Sequence, residues 1–292
     1  MNLRAVFLLL AVVLVGACQP QAPTRLGSVS PAPPSASAVA VPSAPPSLAP
    51  VDNAAPPAAL TIYGAASLKG ALEQLKTSYE DGRPGTTLTL STDSSAALAA
   101  QIEQGAPADG FLSADITNPR KLVDKGLADA AVNFAGNVLT VIVPPDNPGG
   151  LATPADLAKS GVKVIAGGDD VPITTYAKQV VDLLARIPGY PAGFAAAYDA
   201  NVVTKEDNVK AVVAKIEMGE GDAAIVYVTD ATESGRVATI ALPAEASVAA
   251  IYAGVVVKDS TNLAAAHAFL GWLSGAEAQL ILTQLGFTAP AS

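Results

Sequence analysis

The folded part of the chain, from about residue 58 onward, predicts an α/β fold built on parallel sheets. Short β-branched or apolar runs alternate with amphipathic helical patterns along this whole segment. Residues 138–143, VLTVIV, form a continuous apolar run, as a strand buried on both faces requires. Hydroxyl residues stand where strand-like runs give way to helical patterns, as at Ser67 and Ser95. No repeat of fixed period interrupts this alternation.

In the first half of this segment, the helices are expected to begin at hydroxyl residues. Ser67 is expected to cap the first helix, since Leu68, Leu72 and Leu75 follow at helical spacing. Either Ser94 or Ser95 is expected to cap the second helix. In order, the pattern predicts a strand over 60–63, a helix from Ser67 through Tyr79, a strand over 87–90, a helix ending at Gly105, a strand over 110–112, a helix over 116–125 that stops at Gly126, and a strand over 138–143.

The second half begins after the break at Pro144-Pro145. Pro172 suits a first helical turn, and Asn208 is expected to cap a helix that carries Val209 and Val212. In order, the pattern predicts a short helix from Thr153-Pro154, a strand over 162–166, a helix from Pro172 through Ile187, a short strand at 202–203, a helix from Asn208 through Ile216, a strand over 223–228, strands over 237–242 and 251–257, and helices over 262–273 and 276–285.

The N-terminal residues have the pattern of an export signal. Residues 1–17 carry one basic residue, a short apolar run and small residues before Cys18. A cysteine at the cleavage position is typical of a bacterial lipoprotein, with Cys18 lipidated after processing; the alternative is an ordinary signal peptide followed by an unrelated cysteine. Residues 18–57 are dominated by Pro, Ala, Ser and Val, which predicts a disordered tether that holds a folded unit away from the membrane.

Composition and charge exclude several classes of function. The net charge of −9 and the pI near 4.6 argue against nucleic-acid binding, which needs clustered Lys and Arg. Cys18 is the sole cysteine and His267 the sole histidine, so the mature protein lacks disulfides and Cys- or His-rich metal sites. We expect His267 on a helix face, Phe269 and Trp272 in the core, and Gly167-Gly168-Asp169-Asp170 in a strand-to-helix connection.

Several helix starts are expected to converge on an anion. In open α/β sheets ligands bind outside the carboxyl ends of the strands, and helix starts offer unpaired N–H groups with a partial positive charge. The hydroxyls of Ser67, Ser95 and Tyr227 could add neutral donors there. The alternative is that each serine is simply a helix cap. The predicted starts are Ser67, Ser94-Ser95, residues 172–175 and Asn208-Val209.

The sequence also resembles the periplasmic molybdate-binding proteins of ABC transporters. The stretches GAASL, QIEQGAPADGFLSAD, VPxxxYAK and NVKAVVAKIEMGEGDAAIVYVTDA occur in the order typical of that family, and the resemblance extends to the closing LSGAEAQLILTQLGF. It implies two α/β lobes, joined by hinge strands, that close on molybdate or tungstate. Residues 58–140 and 240–292 would form the first lobe, and residues 141–239 the second.

The resemblance also implies the site and the role. The ion would be held by the hydroxyls of Ser67, Ser95 and Tyr227 and by backbone N–H groups at Ile173 and Val209, without cation ligands. The protein would be no enzyme and need no cofactor. It would be a monomer that delivers its ion to a membrane permease, exported and lipid-anchored to the cell membrane, facing the periplasm or the cell exterior.

Two departures from the family pattern bear on the ligand. Thr174 stands where the family has glycine, and Thr174 or Thr175 could instead add a hydroxyl donor. Asp93 stands where a small neutral residue is usual, and we expect its carboxylate to point away from a dianion. The alternatives are another small anion such as sulfate or phosphate, a secreted serine hydrolase using Ser67 or Ser95, and a purely structural surface lipoprotein.

Overall fold

The structure, a computed structural model, describes residues 55–290. The predicted signal peptide, Cys18 and the tether up to residue 54 lie outside the described residues. The strands are β1 (Ala59–Ala65), β2 (Thr87–Asp93), β3 (Gly110–Ser113), β4 (Val132–Val143), β5 (Val164–Gly167), β6 (Val202–Glu206), β7 (Ala224–Tyr227), β8 (Ala238–Ile240) and β9 (Ala249–Val256). The α-helices are α1 (Lys69–Asp81), α2 (Ser95–Glu103), α3 (Thr117–Asp124), α4 (Pro172–Leu184), α5 (Phe194–Asn201), α6 (Val209–Glu217), α7 (Val228–Ser234), α8 (Leu263–Leu273) and α9 (Ala276–Gln284).

One continuous sheet has the strand order β2-β1-β3-β9-β4-β7, with β8 paired to β4. β1 pairs in parallel with β2 and β3, whereas β9 is antiparallel to both β3 and β4. β5 and β6 pair in parallel, and a bridge between Val164 and Ala223 joins β5 in parallel to the segment that enters β7. Parallel pairing therefore joins β1 to β2 and β3 in one part of the molecule and β5 to β6 in the other. Antiparallel pairing joins β4 to β7, β8 and β9.

Strand β4 passes from one sheet region to the other. Its first part pairs with β9, and its second part pairs with β7 and β8. We call β1–β3 with α1–α3, α8 and α9 the first lobe, β5–β7 with α4–α7 the second lobe, and β4 and β9 the hinge strands. The predicted α/β fold with two lobes and hinge strands is confirmed, while the lobe limits at residues 140 and 240 stay predictions.

The core is apolar and continuous from lobe to lobe. Leu60 and Ile62 of β1 pack with Leu72 and Leu75 of α1, each at most 1% exposed. Burying a side chain of this size contributes about 1.5–3 kcal/mol. The prediction that Phe269 and Trp272 lie in the core is also confirmed, since Tyr79 packs edge-on against both rings. Each lobe thus presents a rigid scaffold to the loops at its strand ends.

Four elements differ clearly from the sequence prediction. β4 begins at Val132 rather than at residue 138, because pairing with β9 continues the strand through the polar stretch before the apolar run. Helices α5 and α7 are additional; both are short, and the sequence pattern does not indicate them. Helix α4 ends at Leu184, short of the predicted Ile187. Among residues 55–290, every helix is too short or too polar to cross a bilayer.

Candidate functional site

The structure brings all five predicted ligand-binding residues into the wall of one small cavity between the lobes. Ser67 and Ser95 come from the first lobe, and Ile173, Val209 and Tyr227 come from the second. The cavity is small, about 10 Å³ in volume. The wall also includes Ala65, Ala66, Ser94, Ala114, Pro172 and Asn208. Their roles as ligands stay a prediction, but their juxtaposition is a property of the fold.

Three α-helices begin at this cavity. Ser95 is the first residue of α2, Val209 is the first residue of α6, and Ile173 follows Pro172 in the first turn of α4. The first N–H groups of a helix have no partner within the helix, and the macrodipole adds a partial positive charge there. The cavity wall therefore has a positive electrostatic character that requires no lysine or arginine.

Local sequence explains two of these helix starts. Pro172 stands in the first turn of α4, where its fixed φ is favourable and its missing N–H costs nothing. Asn208 caps α6, and its side chain accepts a hydrogen bond from Ala211 N at 3.1 Å. Both predictions are confirmed. The Asn208 side chain accepts its hydrogen bond from Ala211 N and not from Val209 N, and Pro172 offers no side-chain acceptor to Ile173 N. The N–H groups of Ile173 and Val209 can therefore point to the cavity.

Of the serines at the cavity, Ser94 is a helix cap, whereas Ser67 and Ser95 are not. Ser94 is the cap of α2, since its side chain accepts from Ala97 N at 3.2 Å. Ser95 Oγ instead accepts a hydrogen bond from Ala114 N at 3.0 Å. The prediction that Ser67 caps the first helix is wrong: Ser67 lies inside a 3-10 turn, Ala66–Leu68, that precedes α1.

Ser67 is held by a distant residue. The Tyr252 hydroxyl donates a hydrogen bond to Ser67 Oγ at 2.9 Å. Ser67 and Ser95 therefore both already accept a hydrogen bond, and the single hydrogen of each hydroxyl is available for another acceptor. Both side chains are at least 97% buried, so the cavity is the natural place for that acceptor.

The Tyr227 hydroxyl lacks a protein partner. Its oxygen is buried, and no hydrogen bond to it is formed within the described chain. Burial, with the charges and hydroxyls of Tyr252, Tyr176 and Asp230 adding to it, raises the pKa of Tyr227 well above its ordinary value. The phenol therefore keeps its proton at physiological pH and can act only by hydrogen bonding. A buried unpaired hydroxyl costs about 1–3 kcal/mol, so its position at a cavity indicates an absent partner.

The cavity wall carries no charged side chain among the described residues. Asp93, the acidic departure from the family pattern, lies beside the cavity rather than in its wall. Its carboxylate accepts hydrogen bonds from Ser94 N at 2.7 Å and from Asn208 Nδ2 at 3.3 Å. Asp93 therefore faces the neighbouring backbone and the second lobe, and links the end of β2 to the cap of α6; that its carboxylate points away from the ion stays a prediction.

Thr174 and Thr175 do not add hydroxyl donors to the cavity. Thr174 adopts helical backbone geometry within α4, and its side chain lines a separate cavity of about 200 Å³ in the second lobe, with Asp169, Lys178 and Lys205. Thr175 lines a cleft elsewhere between the lobes. The interpretation of these threonines as extra ligands is therefore not supported, and the threonine in place of glycine imposes no unusual backbone conformation.

Lys210, next to Val209 at the start of α6, pairs with the buried Asp230 and with Glu233, and the sequence pattern does not indicate this ion pair. Lys210 Nζ lies 2.8 Å from Asp230 Oδ1 and 2.7 Å from Glu233 Oε2. Burial alone would lower the pKa of Lys210, but Asp230 and Glu233 outweigh it and raise the pKa. Lys210 follows Val209, yet its charge is directed to these carboxylates rather than to the cavity.

Metal and general-base chemistry find no support in the described residues. No group of three or more His, Cys, Asp or Glu side chains lies close enough to hold a metal ion within residues 55–290. His267 is on a helix face, as predicted, with Nε2 2.9 Å from Asp129 Oδ2 and its side chain 53% exposed. Asp169 pairs with Lys178 and Lys205 in the predicted connection between β5 and α4. None of these groups reaches the serines.

Comparison with known proteins identifies the class. Residues 60–288 match the bacterial extracellular solute-binding proteins. The molybdate-binding protein ModA of Mycobacterium tuberculosis is 31% identical over 234 residues, 80% of this chain and 85% of that protein. The periplasmic molybdate-binding protein of Azotobacter vinelandii has a TM-score of 0.67 at 24% identity, covering 80% of this chain and 100% of that one. The sulfate-binding protein SubI of M. tuberculosis has a TM-score of 0.69 at 22% identity, covering 79% and 86%.

The chain therefore belongs to the bacterial extracellular solute-binding proteins, a family of binding proteins and not of enzymes. The likeness of the two solved structures shows the shared periplasmic-binding-protein fold. The resemblance to molybdate-binding relatives is confirmed. The serine hydrolase alternative is thereby set aside, and His267 pairs with Asp129 and does not line the cavity.

Proposed function

We propose that this chain is the substrate-binding lipoprotein of an ABC importer, and that it captures molybdate or tungstate in the cavity between its lobes. The observation that carries the proposal is the set of uncharged donors around that cavity: two serine hydroxyls with filled acceptor sites, the unpartnered Tyr227 hydroxyl and the helix starts at Ile173 and Val209. The 31% identity to a molybdate-binding protein over 80% of the chain supports the choice of ion.

Uncharged donors suit a fully deprotonated tetrahedral dianion. Each oxygen of such an ion can only accept hydrogen bonds, and every side chain and N–H group assigned to the site can donate. In a dry cavity these dipoles interact with the ion far more strongly than in water, because the local dielectric constant is low. The ion is the transported solute; no cofactor is required, and the protein performs no chemical step.

The remaining roles follow from the class and the N-terminal pattern. After export, Cys18 would be lipidated and would anchor the monomeric protein to the cell membrane, with the binding unit facing the periplasm or the cell exterior. The residues up to 57 would serve as the tether. The partner would be the membrane permease of the importer, which receives the ion when the lobes open.

A second candidate ligand is sulfate, because the sulfate-binding protein SubI shares the fold. Sulfate is also a fully deprotonated tetrahedral dianion, so the donors alone do not separate it from molybdate. Inorganic phosphate retains a proton at neutral pH and is best matched by a carboxylate acceptor, and no carboxylate lines the cavity among the described residues. Size and protonation state are therefore the two properties that an experiment must vary.

A thermal-shift panel with the purified full chain tests the proposal. A ligand that binds only the folded state stabilises it by RT ln(1 + [L]/Kd), about 4 kcal/mol at a thousandfold excess over Kd. Molybdate and tungstate should raise Tm clearly, and sulfate and phosphate at equal concentration should not. A shift with sulfate alone would change the assigned ion, and no shift with any of the four would contradict binding of a small oxyanion and favour a structural lipoprotein.

A further inference from the structure

A buried polar chain crosses both hinge strands and ends at the cavity. Asn137 of β4 and Tyr252 of β9 are both fully buried, at 0% exposure. Asn137 Nδ2 donates to Thr229 Oγ1 at 2.8 Å and to Tyr252 Oη at 3.4 Å. Tyr252 in turn donates to Ser67 Oγ at 2.9 Å. Ser67 of the first lobe is therefore connected, through both hinge strands, to Thr229 just after Tyr227 in the second lobe.

The amide of Asn137 fixes the direction of the first hydrogen bonds in this chain. Val138 N lies 2.9 Å from Asn137 Oδ1, and a backbone N–H can only donate, so the amide oxygen of Asn137 must face it. The amide nitrogen then faces Thr229 and Tyr252, and it too can only donate. Tyr252 Oη accepts from Asn137 Nδ2 and donates its single hydrogen to Ser67 Oγ.

The hydroxyl of Ser67 is the last member of the chain. Because Ser67 Oγ accepts from Tyr252, its own hydrogen points to another acceptor, and the cavity lies beside it. Burial, followed by the charge of Asp230, raises the pKa of Tyr252 well above its ordinary value, so the tyrosine keeps the proton that it donates. In Ser95 the N–H of Ala114 has the same effect without a side-chain relay.

We propose that Tyr252, oriented by Asn137, is a positioning residue that fills one acceptor site of Ser67 Oγ and directs the Ser67 hydroxyl hydrogen to the bound oxyanion. The inference rests on the proposed function, because it requires an oxyanion in the cavity. A serine that is free to rotate can accept a hydrogen bond from a protonated anion as readily as it donates to a deprotonated one. With Tyr252 bound to one lone pair of Ser67 Oγ, donation by Ser67 is favoured over acceptance, and the site discriminates against anions that carry a proton.

A double-mutant cycle on Tyr252 and Ser67 separates positioning from packing. Ser67→Ala should weaken ion binding roughly tenfold or more, and Tyr252→Phe roughly fivefold, as expected for lost hydrogen bonds to a charged and to a neutral group. In the Ser67→Ala background, Tyr252→Phe should change the affinity by less than about twofold, because the residue that it positions is gone. Titration calorimetry of the four proteins with the best-binding ion gives these values.

Two controls distinguish a loss of ion affinity from a loss of folding in Tyr252→Phe. Tyr252→Phe keeps the ring contacts with Phe134, Tyr227 and Phe287, so the variant should fold, and the circular dichroism spectrum checks this. Tyr198→Phe is the matched control: Tyr198 is also buried, in α5 of the second lobe, and does not line the ion cavity. The control should bind the ion with wild-type affinity.

Selectivity provides a readout that packing alone would not move. Tyr252→Phe should lower the ratio of molybdate affinity to phosphate affinity, whereas Tyr198→Phe should leave this ratio unchanged. A wild-type chain that binds none of molybdate, tungstate, sulfate and phosphate overturns the proposed function and this inference with it. When the wild type binds an ion, losses that multiply in the double variant, or an unchanged selectivity ratio, overturn the positioning role alone.

Discussion

The two lobes supply different kinds of hydrogen-bond donor to the same cavity. The first lobe contributes serine hydroxyls, whose direction is set by bonds that they accept from Tyr252 and from Ala114 N. The second lobe contributes the starts of α4 and α6, where the helix itself sets the direction of the N–H groups. A rotatable donor needs an outside partner to gain direction, whereas a backbone donor at a helix start does not.

The difference extends to the support behind each side. Behind the first-lobe serines the contacts are neutral, from a phenol and a backbone amide. On the second-lobe side, Lys210, next to Val209, pairs with Asp230 and ties α6 to α7. Of these supporting contacts, only the Lys210–Asp230 pair carries charge, so it is the one through which the stability should depend on pH. Four predictions examine this contrast, beginning with the largest expected effect.

The largest effect concerns the stability of the second lobe as the pH changes. Burial raises the pKa of Asp230 to about 6, with Lys210 opposing the rise. The unfolded chain releases this proton near pH 3.9, so between about pH 4 and 6 the folded state binds more protons than the unfolded state. The free energy of unfolding should therefore fall as the pH rises through this window, by up to about 3 kcal/mol from this residue.

Urea denaturation of the wild type and of Asp230→Asn, at intervals from about pH 4 to about pH 7, measures this contribution. The stability of the wild type minus that of the variant should decline with rising pH and level off above about pH 6. Parallel stability curves for the two proteins would show that Asp230 has an ordinary pKa and that the second lobe is not pH-sensitive through this pair.

The second prediction removes a backbone donor without removing a helix. Val209→Pro deletes the N–H of the first residue of α6, a position that proline favours, and Asn208 already has the extended backbone that precedes proline. Ion affinity should fall by about 2–3 kcal/mol, as for a lost hydrogen bond to a charged group. Val209→Ala is the control, since it shortens the same buried side chain and keeps the N–H. Equal affinities of the two variants would exclude this N–H as a ligand.

The third prediction separates two adjacent serines of the first lobe. Ser95→Ala should weaken ion binding by about 1.5–2 kcal/mol, because the cavity loses a directed hydroxyl. Ser94→Ala should instead lower the stability by about 1 kcal/mol through loss of the α2 cap and leave the affinity nearly unchanged. Calorimetric titration and urea denaturation of both variants test the pair, and the reverse assignment would refute the division of roles.

The smallest effect belongs to Asp93, which lies where the lobes meet. Asp93→Asn removes a negative charge beside the cavity and keeps an oxygen for the Ser94 N–H. Affinity for a dianion should rise by less than about 1 kcal/mol at low salt, and the gain should shrink as salt is added. A loss of affinity would mean that the contact between Asp93 and Asn208 contributes more to lobe closure than the charge costs the ion.

Local sequence was sufficient to predict those parts of the fold that depend on neighbouring residues. Pro172 and Asn208 indicate the starts of α4 and α6, because a first-turn proline and a capping amide act within a few residues. The assignment of Ser67 as a cap is wrong for the complementary reason. The partner of Ser67 is Tyr252, 185 residues away along the chain, and no local pattern indicates such a contact.

The same reasoning explains the elements and residues that were missed. Asn137 directly precedes the apolar run of β4, so the sequence pattern places the start of the strand after it. Pairing with β9 moves the observed start back to Val132. A polar residue at the edge of a buried strand could have been recognised as a possible member of a buried polar network. No local pattern indicates the pairing of Asp230 with Lys210, because this ion pair depends on how α6 and α7 pack.

A crystal structure of the protein grown with molybdate, with the anomalous signal of molybdenum used to locate the ion, is the decisive measurement. Our account predicts a single strong peak between the lobes, within hydrogen-bonding distance of Ser67 Oγ, Ser95 Oγ and Tyr227 Oη. A peak beside the exposed lysines Lys178 and Lys205, with the cavity between the lobes empty, would contradict it, because the ion would then be held by positive charge and not by neutral donors.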